Sequence, residues 1–314
     1  MKICRNLYVV LLLIAGPLTG FSQENEVDFP PFTVESTFKK LKKKYPFIKP
    51  ISPVISDSIR YFENITYKSY KQYTLQADIY VPNFSAHSSF PAVLLIHGGG
   101  WLTGSKENLR MLAQHLALNG YVAITANYRL GLEAPYPAAV YDIKDALKWM
   151  RTNHQTYQID PNKIAILGAS AGGQLATLVG VSNHTSLYGE PSKPVQAIVN
   201  IDGIVSFIHP EAASEGVMAS IWLYGNKKEN YERWREASPL EYIDGSTPPT
   251  LFINSSQPRF HAGRDDYLKI LKIHNIPHKV QTIPNTPHAF WLVAPWFDST
   301  LMYIVSFLNA ILKA

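Results

Sequence analysis

A chain of 314 residues, 46% hydrophobic and 17% charged, can bury a large core and does not belong to the disordered class. Its formal net charge of +5 says little about partners. Two of the charges, Lys2 and Arg5, sit at the extreme N-terminus, and five lysines crowd into FKKLKKKYPF at 38–47. No nucleic-acid motif accompanies that run, so it reads as a solvated helix face rather than a patch for an anionic polymer.

Lys2 and Arg5 precede the apolar run 7–16, and a small, polar PLTGFSQ follows. These are the three regions of a secretory signal peptide, expected over 1–23, and the apolar run is too short to span a bilayer. The expected location is therefore secreted or periplasmic. Cys4 is the single cysteine and lies inside this segment, so cleavage near Gln23 leaves no disulfide and no cysteine-based metal site. No second apolar stretch is long enough for a membrane helix, and no membrane association is expected after cleavage. Residues 24–60, rich in proline and charge, read as an N-terminal arm ahead of one domain at 61–314.

Within that domain, residues 64–82 place β-formers on both sides of a polar centre, the pattern of an antiparallel hairpin. PAVLLIHGG (91–99) is a continuous apolar run, as expected of a strand buried on both faces. A helical spacing over 108–120 stops at Gly120, and YVAITANYR (121–129) returns to strand. An amphipathic helix over 137–153 starts at Pro137. The strand 163–170 runs into the helix 171–182, and strands follow at 195–202 and 249–256. A helix at 264–275, a strand at 278–284 and a helix at 298–312 complete the chain. Such alternation predicts an α/β fold with a mostly parallel central sheet and helices on both faces. Residues 205–247 interrupt it and are expected to lie over the carboxyl edge of the sheet as a cap.

Sites in such sheets form outside the carboxyl ends of the strands. Gly168-Ala169-Ser170-Ala171-Gly172 falls there, between strand and helix, and matches the Gly-x-Ser-x-Gly nucleophile elbow. Small flanking residues suit a tight turn, and the helix opening at Ala171 directs N–H groups at any oxyanion beside Ser170. His97-Gly98-Gly99-Gly100-Trp101 follows another strand, where glycines let the backbone approach a substrate carbonyl. The N–H groups of these glycines, with that of Ala171, would hold the developing negative charge. His97 reads as an orienting residue of that loop, and Trp101 either lines a pocket or packs. His288, after the last strand in IPNTPHAFW, is the expected base, in the chain order serine, acid, histidine. No metal or cofactor is expected, since His97, His115 and His288 show no close ligand spacing with carboxylates.

Taken with NYR at 127–129, YPAAVYDIKDALKW, DPNKIAILGASAGG and TPHAFW, these stretches resemble α/β-hydrolases of the esterase and lipase group with an HGGG-type loop. They look closest to bacterial carbohydrate esterases of the acetylxylan and feruloyl type, over about 62–313. The resemblance implies an α/β-hydrolase fold and a carbohydrate ester substrate, probed by a serine nucleophile at Ser170 and a base at His288, with Gly99, Gly100 and Ala171 as the oxyanion donors.

The resemblance leaves the acid open. The family's usual position, a few residues beyond the strand PTLFINSS, is occupied here by about Arg259, and no carboxylate appears before Asp265. Asp202, ending VQAIVNID, is the rival to Asp265, which also suits the first turn of a helix. Arg259, His261 and Arg264 form a basic cluster. They either pair with Asp265, Asp266 and the backbone or hold a carboxylated sugar, since Arg grips carboxylates bidentately. Trp101, Arg259 and Trp291 are candidate substrate contacts. An amide hydrolase of formamidase or peptidase type and a non-catalytic binding protein on the same fold remain as alternatives. Oligomeric state is not legible.

Overall fold

The computed structural model describes residues 29–71, 73–83, 89–213 and 216–313. The segment read as an export signal, 1–23, lies outside the described residues. In chain order the elements are α1 (Val34–Lys42), β1 (Lys49–Pro50), β2 (Ile59–Ser69), β3 (Thr74–Pro82), β4 (Phe90–Ile96), α2 (Arg110–Leu118) and β5 (Val122–Ala126). Then come α3 (Ala138–Thr152), β6 (Ile159–Ala169), α4 (Ala171–Ser182), β7 (Ala197–Ile201), α5 (Val217–Trp222) and α6 (Tyr231–Glu236). The chain ends with β8 (Thr250–Asn254), α7 (Arg264–Ile273), β9 (His278–Thr282), β10 (Val293–Ala294) and α8 (Trp296–Leu312).

Eight strands form one sheet in the order β2-β3-β5-β4-β6-β7-β8-β9. The β2–β3 hairpin is antiparallel and β3 joins β5 antiparallel, while every pair from β5 to β9 is parallel. Side chains alternate along each strand, so the sheet feeds two separate core layers. Ala92, Leu94 and Ile96 of β4 enter one core layer with Val140 and Ile143 of α3 and Leu175 and Leu178 of α4. Val93 and Leu95 enter the opposite layer with Leu112 and Leu116 of α2 and Ile304 and Leu308 of α8. A strand covered on both faces has no polar side to show, which is why β4 reads as an unbroken apolar run.

The N-terminal arm is more than a lead-in. Thr33 Oγ1 accepts from Ser36 N–H and Ser36 Oγ accepts from Thr33 N–H, both at 3.0 Å, a reciprocal cap that starts α1. Phe38 and Leu41 pack against the α2–α8 core layer, Ile48 is fully buried, and β1 pairs antiparallel with β10. Within 205–247, two short helices, α5 and α6, bury Trp222 and Trp234 completely and leave Tyr224 and Tyr231 exposed. Among the described residues no helix is long and apolar enough to cross a membrane.

Candidate active site

The carboxyl ends of β4, β6, β7 and β8 bring four separated stretches together, and the loop after β9 adds a fifth. Ser170 caps α4 with φ 57° and ψ −124°, a region sparsely populated by residues other than glycine. Two bonds hold it there: Ser170 N–H donates to the Ile201 carbonyl at 2.8 Å, and its own carbonyl accepts from Gln174 N–H at 3.1 Å. The elbow needs its glycines for space. A Cβ on Gly172 would stand 2.1 Å from the Ile96 carbonyl oxygen, and one on Gly168 would stand 1.9 Å from that of Gly172. Neither position admits a side chain.

His288 Nε2 lies 2.7 Å from Ser170 Oγ, and Nδ1 lies 2.8 Å from Asp202 Oδ2. Asp202 is fully buried at the end of β7, with φ 51°. Its second oxygen, Oδ1, accepts from Ser255 N–H at 2.7 Å, and the His261 ring stands 3.6 Å from it. Burial acts to raise the pKa of this carboxyl. The neighbouring His261 and His288 rings and the Ser255 N–H outweigh burial and hold it well below the usual carboxylate range. Asp202 is thus an anion bonded to the histidine that faces Ser170. Asp265 is elsewhere. It lies largely exposed on the first turn of α7, ion-paired to Arg264 at 2.8 Å, without contact to His288.

Phe260 stacks on the His288 imidazole with ring centroids 3.5 Å apart and planes 9° from parallel. Trp291 meets the same imidazole edge-on at 5.1 Å. Behind the histidine and almost fully buried, Trp291 does not line the cavity, which corrects the expectation of a substrate contact. The rotamer of His288 is fixed by these rings and by Asp202.

The glycine loop after β4 closes the other side. Gly99 has φ +123°, and a Cβ there would stand 2.0 Å from the Thr103 carbonyl oxygen, so only glycine fits. Among the described residues, the N–H groups of Gly99, Gly100 and Ala171 donate to no protein acceptor. His97 is buried beneath this loop, its Nδ1 at 2.8 Å from the Gly98 carbonyl and its ring stacked on Tyr128 at 4.3 Å. Burial pushes its pKa down to about 4, so the ring is neutral at pH 7. Trp101 packs and lines the cavity at once. Its indole stacks on Trp222 at 5.1 Å and donates to Gln174 Oε1 at 2.9 Å.

Above Ser170 opens a cavity of about 880 Å³. Its wall combines the glycine loop, Ser170, His288, Phe260 and Arg259 with two further contributors, the first of which the sequence did not suggest. One is the arm, through the Phe29-Pro30-Pro31-Phe32 stretch and the Ser36, Thr37, Lys40 and Leu41 face of α1; the other is Gly216–Ala219 of the cap region. The aromatic-proline cluster of the arm is the one local signal that could have suggested a docked segment. Of the basic cluster, Arg264 pairs with Asp265 and donates to Asn254 Oδ1 at 2.7 Å, and His261 faces Asp202. Arg259 alone lines the cavity, its guanidinium over the Phe260 ring at 4.3 Å.

Known proteins share this arrangement of fold. LipM of Mycobacterium tuberculosis, a probable carboxylic ester hydrolase, is 28% identical over 224 residues, covering 68% of this chain and 52% of that protein. Versiconal hemiacetal acetate esterase of Dothistroma septosporum is 24% identical over 293 residues, covering 84% of this chain and 83% of that one. A truncated carbohydrate esterase from gut microbiota superposes with a TM-score of 0.70 at 20% identity, covering 84% of this chain and 100% of the other, a likeness of fold. The chain spans about half the length of LipM, the curated relative named first. Residues 77–260, more than half of the chain, match the model of the BD-FAE family. The chain therefore belongs to the BD-FAE family of α/β-hydrolases.

Proposed function

We propose that the protein is a serine carboxylic ester hydrolase that removes acetyl or related acyl groups from plant polysaccharides outside the cytoplasm. The observation that carries this reading is the unbroken chain Ser170 Oγ, His288, Asp202, at 2.7 and 2.8 Å, opening into a cavity beside three N–H groups without a protein acceptor among the described residues. As Ser170 Oγ bonds to the ester carbonyl carbon, His288 Nε2 takes its proton, and Asp202 stabilises the imidazolium that forms. The carbonyl oxygen becomes an oxyanion that accepts from the Gly99, Gly100 and Ala171 N–H groups; one such donor is worth about 10²–10³ in rate. The carbon–oxygen bond to the alcohol breaks and His288 returns the proton to the departing oxygen. Water then repeats the cycle on the acyl-serine, releasing the acid and restoring Ser170.

The esterase relatives support the reaction class, and the carbohydrate esterase of like fold is consistent with a sugar substrate. Export rests on the N-terminal sequence alone. Initial rates on 4-nitrophenyl acetate, on the matched acetanilide and on acetylated xylan test the reading, with Ser170→Ala as the inactive reference. Turnover of esters but not of the anilide is expected. Faster anilide cleavage would make the protein an amidase, and failure of Ser170 to label with a fluorophosphonate would make the site non-catalytic. Cell fractionation tests export.

A further inference from the structure

The charges that the described residues bring to the cavity wall are unbalanced. Among the described residues that line it, Lys40, Arg259 and Asp202 carry charge, and Asp202 is committed to His288. Among the described residues neither Lys40 nor Arg259 has a carboxylate partner, whereas their neighbours do: Lys39 pairs with Glu35 at 2.5 Å and Arg264 with Asp265. Lys42 is engaged as well, donating to the Ile48 carbonyl at 2.8 Å. The two free cations come from opposite ends of the chain, Lys40 from α1 of the arm and Arg259 from the turn after β8. Arg259 is also held in place, because its guanidinium lies over Phe260, the ring that stacks on His288.

A cavity of about 880 Å³ has room for a sugar and its acyl group, and Phe29, Phe32 and Trp101 give it aromatic walls. We infer that the substrate is an acyl ester of a sugar that itself carries a carboxylate, a uronic acid. Lys40 and Arg259 hold that carboxylate while the ester carbonyl lies at Ser170. A planar guanidinium matches a carboxylate bidentately, and the ammonium of Lys40 adds a point charge from α1. The inference rests on the esterase reading and deepens it. It also gives the arm a role, since without α1 the cavity would have one cation instead of two.

The test is the ratio of kcat/KM for O-acetylated methyl glucuronoside to that for the acetylated methyl glucoside, which differ only in the carboxylate. Exposed ion pairs are individually weak, so each contact is worth about fivefold. The wild-type ratio is expected to be at least tenfold in favour of the glucuronoside. Lys40→Ala and Arg259→Gln should each lower it about fivefold, and Lys228→Ala, an exposed lysine away from the cavity, should leave it unchanged. Raising salt to about 0.5 M should compress it, because exposed charges are screened. A ratio near one, or one that neither variant lowers, overturns the inference and leaves the esterase reading intact. If the protein cleaves neither ester, the esterase reading fails and calorimetry still decides. Ser170→Ala protein should bind the glucuronoside more tightly than the glucoside, with the same dependence on Lys40 and Arg259, and equal Kd values would refute the carboxylate site.

Discussion

Asp202→Asn tests the site most sharply, because it changes one atom in a group with no solvent to hide in. Asp202 is fully buried, with Oδ1 on the Ser255 N–H at 2.7 Å and Oδ2 on His288 Nδ1 at 2.8 Å. The Ser255 N–H must keep an acceptor, so the asparagine places its oxygen there and its NH₂ toward His288. Nδ1 then becomes the acceptor, the proton moves to Nε2, and the face toward Ser170 donates instead of accepting. Ser170 loses its base without any heavy atom moving. In serine hydrolases with a triad the wrong tautomer lowers kcat on the order of 10⁴, which is about 5 kcal/mol of barrier. Steady-state rates on 4-nitrophenyl acetate measure the loss, and near-ultraviolet dichroism of the variant reports on packing. Asp265→Asn, exposed and paired only to Arg264, should stay within about twofold. An Asp202→Asn enzyme that keeps a tenth of its activity would refute the assignment of the acid, whatever the distances.

Phe260→Leu removes the aromatic face stacked at 3.5 Å on the imidazole that becomes charged during the reaction. A cation over such a face is worth about 1 kcal/mol, so kcat should fall about fivefold with KM nearly constant; a change confined to KM would show that Phe260 serves binding instead. Lys106→Met leaves Asp78, fully buried and 2.9 Å from Lys106 Nζ, with the Asn64 N–H at 2.8 Å and, for charge, the longer 3.6 Å pairing to Arg110. Uncompensated buried charge of this kind costs about 3 kcal/mol, read as a lowered urea midpoint at unchanged m, and an unshifted midpoint would mean that Arg110 replaces the lysine in full. His97, with its pKa pushed from 6.5 down to about 4, binds fewer protons folded than unfolded between those values. Folding stability must therefore decline as pH falls from about 6.5 to 4, by about 3 kcal/mol from this group. Urea titrations across that range should show a shallower slope in His97→Gln, and identical slopes would exclude His97 as the source.

Strand order along the chain, the elbow and the glycine loop are legible in the sequence because each is a local pattern with a local cause. Helix α4 occupies the expected 171–182, since the constraint that stops β6 at Ser170 is steric and lies within five residues. The arm was not legible in this way. Its charge and prolines look like a linker, and only the docking of Phe38, Leu41 and Ile48 against the α2–α8 layer makes it a wall of the cavity. Trp291 shows the opposite error. An aromatic three residues beyond His288 suggests a sugar platform, but the turn buries its ring against the imidazole, and the indole serves to hold the histidine.

The acid is the instructive case, because what decides it is lateral adjacency, which no stretch of sequence contains. Strands β7 and β8 are parallel neighbours with Ile201 opposite Ile253, so the residues just past their ends stand side by side. A carboxylate from either end can reach a histidine delivered by the loop after β9. Here the residue just past β8 is Ser255, which contributes a backbone N–H to the carboxylate, while the carboxylate itself comes from Asp202, just past β7. The left-handed turn at Asp202 is held by its N–H on the Ile253 carbonyl at 2.9 Å, again a bond across the two strands. The pairing of β7 with β8 therefore does two things at once: it turns Asp202 toward His288 and adds the Ser255 N–H to the His261 and His288 rings that keep it ionised. The want of a carboxylate between β8 and Asp265 is then compatible with an intact relay, because Asp202 reaches His288 from the end of the neighbouring strand.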